Sequence, residues 1–218
     1  MRKFVPAVAL CLSAASMLFA DGRVRVIHAS PDAPKVDIRV NGQPALDSIP
    51  FGASTGYVPV PAGTHKFGIY VAGSDTLVTE IEATIADNSA YTVAAIGFAT
   101  PGKAPGFRVI ALPDDREAPG EGSGYVRFVH AAPSAPAVDI YVGASPYETV
   151  ANRTPLLASF PFGVATGYLA VPAGTYYARL TPTGAKSPVA LESGAVMLPS
   201  RGVRTAFALD NGVLLLVD

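Results

Sequence analysis

The 218 residues include one cysteine, Cys11, and no tryptophan. Cys11 lies in an N-terminal segment read below as removed on export, so the mature chain is expected to hold neither a disulfide nor a thiolate nucleophile. Its stability must come from packing. Charge is also sparse, at 15% of residues, and loss of Arg2 and Lys3 from the 16 basic residues leaves 14 against 17 acidic ones. A mildly acidic chain of this kind is not expected to bind nucleic acid or an anionic membrane surface. After Ala20 no apolar run approaches the ~20 residues of a membrane span. No stretch sustains a helical period, no Gly-rich phosphate cradle precedes a helix, and no G-x-S-x-G elbow is present.

What is present is a turn-rich, apolar chain: half its residues are hydrophobic, with 21 Gly and 20 Pro. Residues 1–20 read as a signal peptide, with Arg2 and Lys3 as the basic start and an apolar run from Phe4 to Phe19. Cleavage is placed after Ala20, with Ala15 as the alternative. Leu10 stands where a lipoprotein signal would place a small residue before Cys11. Export to the periplasm, cell surface or extracellular space is expected, with no transmembrane segment once the signal is removed.

The rest of the chain is a duplication. VRVIHASPDAPKVDIRV, from Val24 to Val40, returns as VRFVHAAPSAPAVDIYV from Val126 to Val142. PFGASTGYVPVPAGT, from Pro50 to Thr64, returns from Pro161 to Thr175 at a larger offset. The difference requires an insertion between Val142 and Leu157, expected to be an exposed loop. The repeats divide the chain into a signal peptide (1–20), a first copy (21–113), an acidic, Pro- and Gly-rich linker (114–124) and a second copy (125–218). Each copy has roughly 100 residues, the size of an independently folding domain.

Within each copy, short alternating stretches are separated by Gly, Pro and Asn turns. Val24, Val26 and His28 share one face against Arg23, Arg25 and Ile27. Leu77 to Ile85 alternates most clearly. Pro31 and Pro34 interrupt any ladder and predict a corner. Gly52, Gly56, Gly63 and their repeats are assigned to backbone geometry at turns and bends. The pattern predicts an all-β protein of two tandem immunoglobulin-like β-sandwich domains.

The HASPDAPKVD opening, the PFG and GY steps, the VPAGT hairpin and the acidic DDREAP segment carry a resemblance. The chain resembles a bacterial and archaeal secreted repeat family catalogued as a domain of unknown function, of the DUF4397 type, here in two tandem copies. The resemblance implies a β fold and export, and brings no activity with it.

The polar residues common to both copies are His28 with Asp37 and His130 with Asp139. An imidazole and a carboxylate can ligate a metal, but neither copy offers a third ligand at recognisable spacing. The structural alternative is a rim histidine bonded to the Pro-rich corner. Ser30 beside His28 suggests a hydrolase triad, yet the second copy has Ala132 at that position. Tyr57 and Tyr168 are expected to pack their rings while their hydroxyls meet backbone partners. Asn152-Arg153-Thr154 matches a glycosylation sequon that Pro155 weakens.

These readings predict a non-catalytic, exported structural or binding module of the cell envelope or extracellular space, without a cofactor. Its partner is an unidentified envelope or extracellular protein or polymer. The alternative is a sugar- or peptide-binding module, with a hydrolase as the third reading. By strand parity Tyr141 and Tyr177 point outward where the first copy has Arg39 and Lys66. With Tyr147 in the inserted loop they would form an aromatic binding face on the second copy.

Overall fold

A computed structural model describes residues 21–217, and the signal peptide expected over residues 1–20 lies outside them. The first copy contains β1 (Gly22–Ala29), β2 (Val36–Val40), β3 (Gln43–Ile49), β4 (Val58–Val60), β5 (Gly63–Val71), β6 (Leu77–Ile85), β7 (Ala90–Ile96) and β8 (Arg108–Pro113). The second repeats them as β9 (Ser123–His130), β10 (Val138–Gly143), β11 (Leu157–Phe160), β12 (Leu169–Pro172), β13 (Gly174–Pro182), β14 (Leu191–Leu198), β15 (Val203–Leu209) and β16 (Gly212–Val217). The fold is all-β, two tandem sandwiches of two four-stranded sheets each.

In the first sandwich the sheet β4-β1-β7-β8 faces β3-β2-β5-β6, and in the second β12-β9-β15-β16 faces β11-β10-β13-β14. The first and seventh strands of each copy pair in parallel. After β1 the Pro31–Pro34 corner carries the chain across to the opposite sheet, because a proline there could not donate to a continuing ladder.

Alternation places Val24 and Val26 inside the first sandwich, against Val36, Ile38 and Ile69. Ile27 and Ala29 point the other way, yet they do not meet water. With Ala94 and Ile96 they pack against Val129, Ala131, Phe207, Leu209 and Leu216 of the second copy. The two sandwiches therefore stand back to back, and their central strands are buried on both faces.

A polar cluster is buried beside this apolar seam, around Asp114. This first residue of the segment read as linker is 2% exposed. Its carboxylate accepts hydrogen bonds from Thr92 Oγ1 at 2.5 Å, Tyr57 Oη at 2.7 Å, Arg127 Nη2 at 2.6 Å and Tyr168 Oη at 3.2 Å. Arg25 Nη2 lies 3.8 Å away. The tyrosine hydroxyls thus reach a carboxylate rather than the backbone expected for them. Their rings lie under the guanidinium groups, Arg25 over Tyr57 at 4.7 Å and Arg127 over Tyr168 at 4.5 Å.

A buried carboxylate shared by both copies is costly to desolvate and more costly to leave unmatched. Asp114→Asn keeps the shape and removes the charge that faces two buried arginines. Denaturant unfolding should register a loss of about 3–5 kcal/mol. A loss below about 1 kcal/mol would mean that the cluster does not hold the copies together.

Candidate functional site

The structure places the duplicated histidines and aspartates in separate, internally satisfied positions. His28 and His130 are 0% and 1% exposed. His28 Nδ1 accepts from the Ser30 backbone N–H at 3.3 Å, and His130 Nδ1 from that of Ala132 at 3.4 Å. Nε2 must then carry the proton and donates to the carbonyl of Pro34 at 2.8 Å or Pro136 at 3.0 Å. Both ring nitrogens are engaged, and the one in-plane lone pair, on Nδ1, already accepts a backbone N–H. The contact to residue 30 uses its backbone, so Ala132 replaces Ser30 at no loss, and the Ser30 side chain is fully buried.

Asp37 and Asp139 lie on the outer faces of β2 and β10. Asp37 accepts the N–H of Ser48 at 2.7 Å and of Gly73 at 2.9 Å, and Asp139 accepts those of Ser159 at 2.8 Å and Gly184 at 2.9 Å. All four donors have positive φ, from 51° to 75°. Each aspartate therefore pins a kinked neighbouring strand and a turn. The two N–H bonds hold the Asp37 carboxyl below its ordinary range.

The aromatic face expected on the second copy is not assembled. Tyr141 does point away from its own sandwich core, but it is 3% exposed. Lys186 covers it, with Nζ 4.6 Å from the ring centroid and 3.0 Å from the hydroxyl. The inserted loop is mostly exposed, as expected, and is tied down by bonds within itself. Glu148 accepts the N–H groups of Ala144 and Ser145 and pairs with Arg153, while Val150 is buried. Tyr177 is half-buried and Tyr147 is 91% exposed.

The largest departure between the copies lies inside the sandwiches. A cavity of about 310 Å³ separates the sheets of the second, and the corresponding space in the first is about 30 Å³. Strand register identifies the cause. Phe67 pairs with Val40 in the first copy, and Ala178 takes its place opposite Val142. Val93 pairs with Val26, and Ala206 takes its place opposite Phe128. Across from Phe67 stands Ile81, whereas Ala178 lies at a β-bulge where Ser193 Oγ accepts its N–H. Phe128 and Phe160, in place of Val26 and Ile49, refill only part of the space.

The walls are almost wholly apolar, with His130 of β9, beside Ala208, at one end and Arg204 of β15 at the other. Several lining residues, among them Val142, Ala178, Ser193 and Val213, are half-buried although they face inward. At about 24 cal/mol per Å³ an unfilled space of this size corresponds to about 7 kcal/mol. That is comparable with the whole stability of an ordinary domain, about 5–15 kcal/mol. The volume also falls in the range of about 300–1,000 Å³ usual for small-molecule sites.

A family model described as a domain of unknown function (DUF4397) matches residues 22–141, the first sandwich together with the opening strands of the second. The chain belongs to the DUF4397 family. No curated protein matches the sequence. Among solved structures, a streptococcal family 41 carbohydrate-binding module that recognises α-glucan is 12% identical, covering 88% of this chain and 96% of its own, with a TM-score of 0.29. A family 26 carbohydrate-binding module of Eubacterium rectale Amy13K, in complex with maltoheptaose, is 5% identical, covering 91% and 97%, with a TM-score of 0.25. The two-sandwich description of this DUF4397 protein rests on its own strand pairing.

Burial lowers the pKa of both DUF4397-motif histidines, against the opposing bonds to Pro34 and Pro136. The folded protein then binds fewer protons than the unfolded chain, whose histidines titrate near pH ~6.5. Their contribution is complete above that pH and is lost as pH falls below it. The melting temperature should therefore drop between pH 7.5 and pH 5, and His130→Asn should flatten the drop while lowering stability at pH 7.5 by about 1 kcal/mol or more. An unchanged pH dependence in that variant would contradict the neutral, buried assignment.

Proposed function

We propose that this chain is a non-catalytic, exported binding protein of the cell envelope or extracellular space, with its ligand site inside the second sandwich. The observation that carries this reading is the tenfold difference in internal volume between two copies of one fold, about 310 Å³ against about 30 Å³. Both copies keep their histidine bridges, aspartate clamps and the shared seam. The hollow is thus a local divergence on a preserved frame, produced by smaller residues at Ala178, Ser193 and Ala206. The first sandwich serves as the solid support.

A hydrolase is less well supported, because the Ser30 side chain is fully buried and both nitrogens of His28 are engaged. A sugar or peptide site on the outer aromatic face is also less well supported. Its central residue, Tyr141, lies under Lys186.

A neutral apolar fluorophore, N-phenyl-1-naphthylamine, tests the reading on the full mature chain. Saturable binding of one probe per chain is expected. Ala178→Phe, which installs the residue that the first copy has at Phe67, should abolish it and raise the melting temperature of the ligand-free protein. Absence of saturable binding, or binding untouched by Ala178→Phe, would remove the cavity as the site.

A further inference from the structure

The hollow is not uniformly apolar. Arg204 lines it from β15, 8% exposed, at the position that Tyr91 occupies in the first copy. Arg204 Nε donates to the Met197 carbonyl at 3.1 Å and Nη1 to the Val203 carbonyl at 2.9 Å. Among the described residues no carboxylate lies within ion-pair distance of it. This differs from the two buried arginines beside the seam, Arg25 and Arg127, which both face Asp114.

A guanidinium carries five N–H donors in a planar fork suited to two oxygens of one anion. Two backbone carbonyls use only part of that capacity. A buried cation without a counter-charge is unfavourable, and an anionic group supplied from outside corrects it. Opposite this charged end, the inner face of β15 continues through Ala206 and Ala208 toward His130, walled by Phe128, Ile140 and Leu180. His130 Nδ1 accepts from the Ala132 N–H while Nε2 donates to Pro136, the pattern of a neutral ring. At about 30 Å³ per water-sized group, the volume takes a chain of about ten such groups.

Resting on the reading of the hollow as a ligand site, we infer that its ligand is a single-chain aliphatic amphiphile with an anionic oxygen head. The tail lies between the sheets of the second sandwich, and the head pairs with Arg204. The first sandwich, with Tyr91 at the charged position and Phe67 across the slot, takes no such ligand.

Displacement of N-phenyl-1-naphthylamine by decanoate and by 1-decanol, compared on the full mature chain, tests the assignment. In Arg204→Gln the concentration of decanoate needed should rise about tenfold or more, as expected for a charge-assisted hydrogen bond. That of 1-decanol should change less than about twofold, because the tail contacts are untouched. Arg204→Lys should recover part of the decanoate affinity, and Arg204→Tyr, the residue of the first copy, should behave as Arg204→Gln while preserving the fold. Equal shifts for acid and alcohol, or none for either, would overturn the anionic-head assignment while probe binding that Ala178→Phe abolishes keeps the site itself. A probe that binds but is displaced by neither compound would overturn the aliphatic ligand. Absence of both probe binding and decanoate binding, the latter followed by calorimetry, would remove the site and the inference together.

Discussion

One buried carboxylate, that of Asp114, joins the two halves of the molecule. It accepts from Thr92 and Tyr57 of the first sandwich and from Arg127 and Tyr168 of the second, with Arg25 also in range. An isolated buried charge would be prohibitive, so the site exists only while both copies supply their donors. That requirement fixes the sandwiches back to back and brings Ile27, Ala94 and Ile96 against Val129, Phe207 and Leu209. The two copies of a duplicated domain meet at a joint that neither can form alone.

The joint also bears on the difference between the two interiors. The first sandwich is filled by Phe67, Ile81 and Val93, and the second is opened by Ala178, Ser193 and Ala206. Removing core volume from a small free-standing domain erodes most of its stability. Here the sheet that forms one wall of the hollow is held from behind by a full apolar seam and by the Asp114 cluster. The solid copy can thus bear the load that lets its twin carry space, a division of labour that duplication makes available.

The duplication, the all-β character and the corner at Pro31–Pro34 were legible because they are local. Leu77 to Ile85 reads as a strand since β6 belongs to an outer sheet, with one face wet and one dry. Ala90–Ile96 and Val203–Leu209 show no such alternation, being buried on both faces, and that lack was the available signal for a second interface. Asp114 was read with its acidic neighbours as linker because nothing nearby in sequence announces Arg25 and Arg127. Parity correctly turned Tyr141 out of its core, but parity is blind to the lysine that then covers it. The hollow is invisible in either copy alone. It emerges only when strand register sets Phe67 against Ala178 and Val93 against Ala206.

The central claim is that duplication produced one solid and one hollow sandwich, and it is most directly tested by crystals of the ligand-free protein under xenon pressure. Xenon enters dry apolar cavities and reports them by position. The account predicts xenon between the sheets of the second sandwich, beside Ala178 and Ala206, and none between those of the first. A second sandwich without xenon whose sheets have closed together, or equal occupancy in both copies, would contradict it.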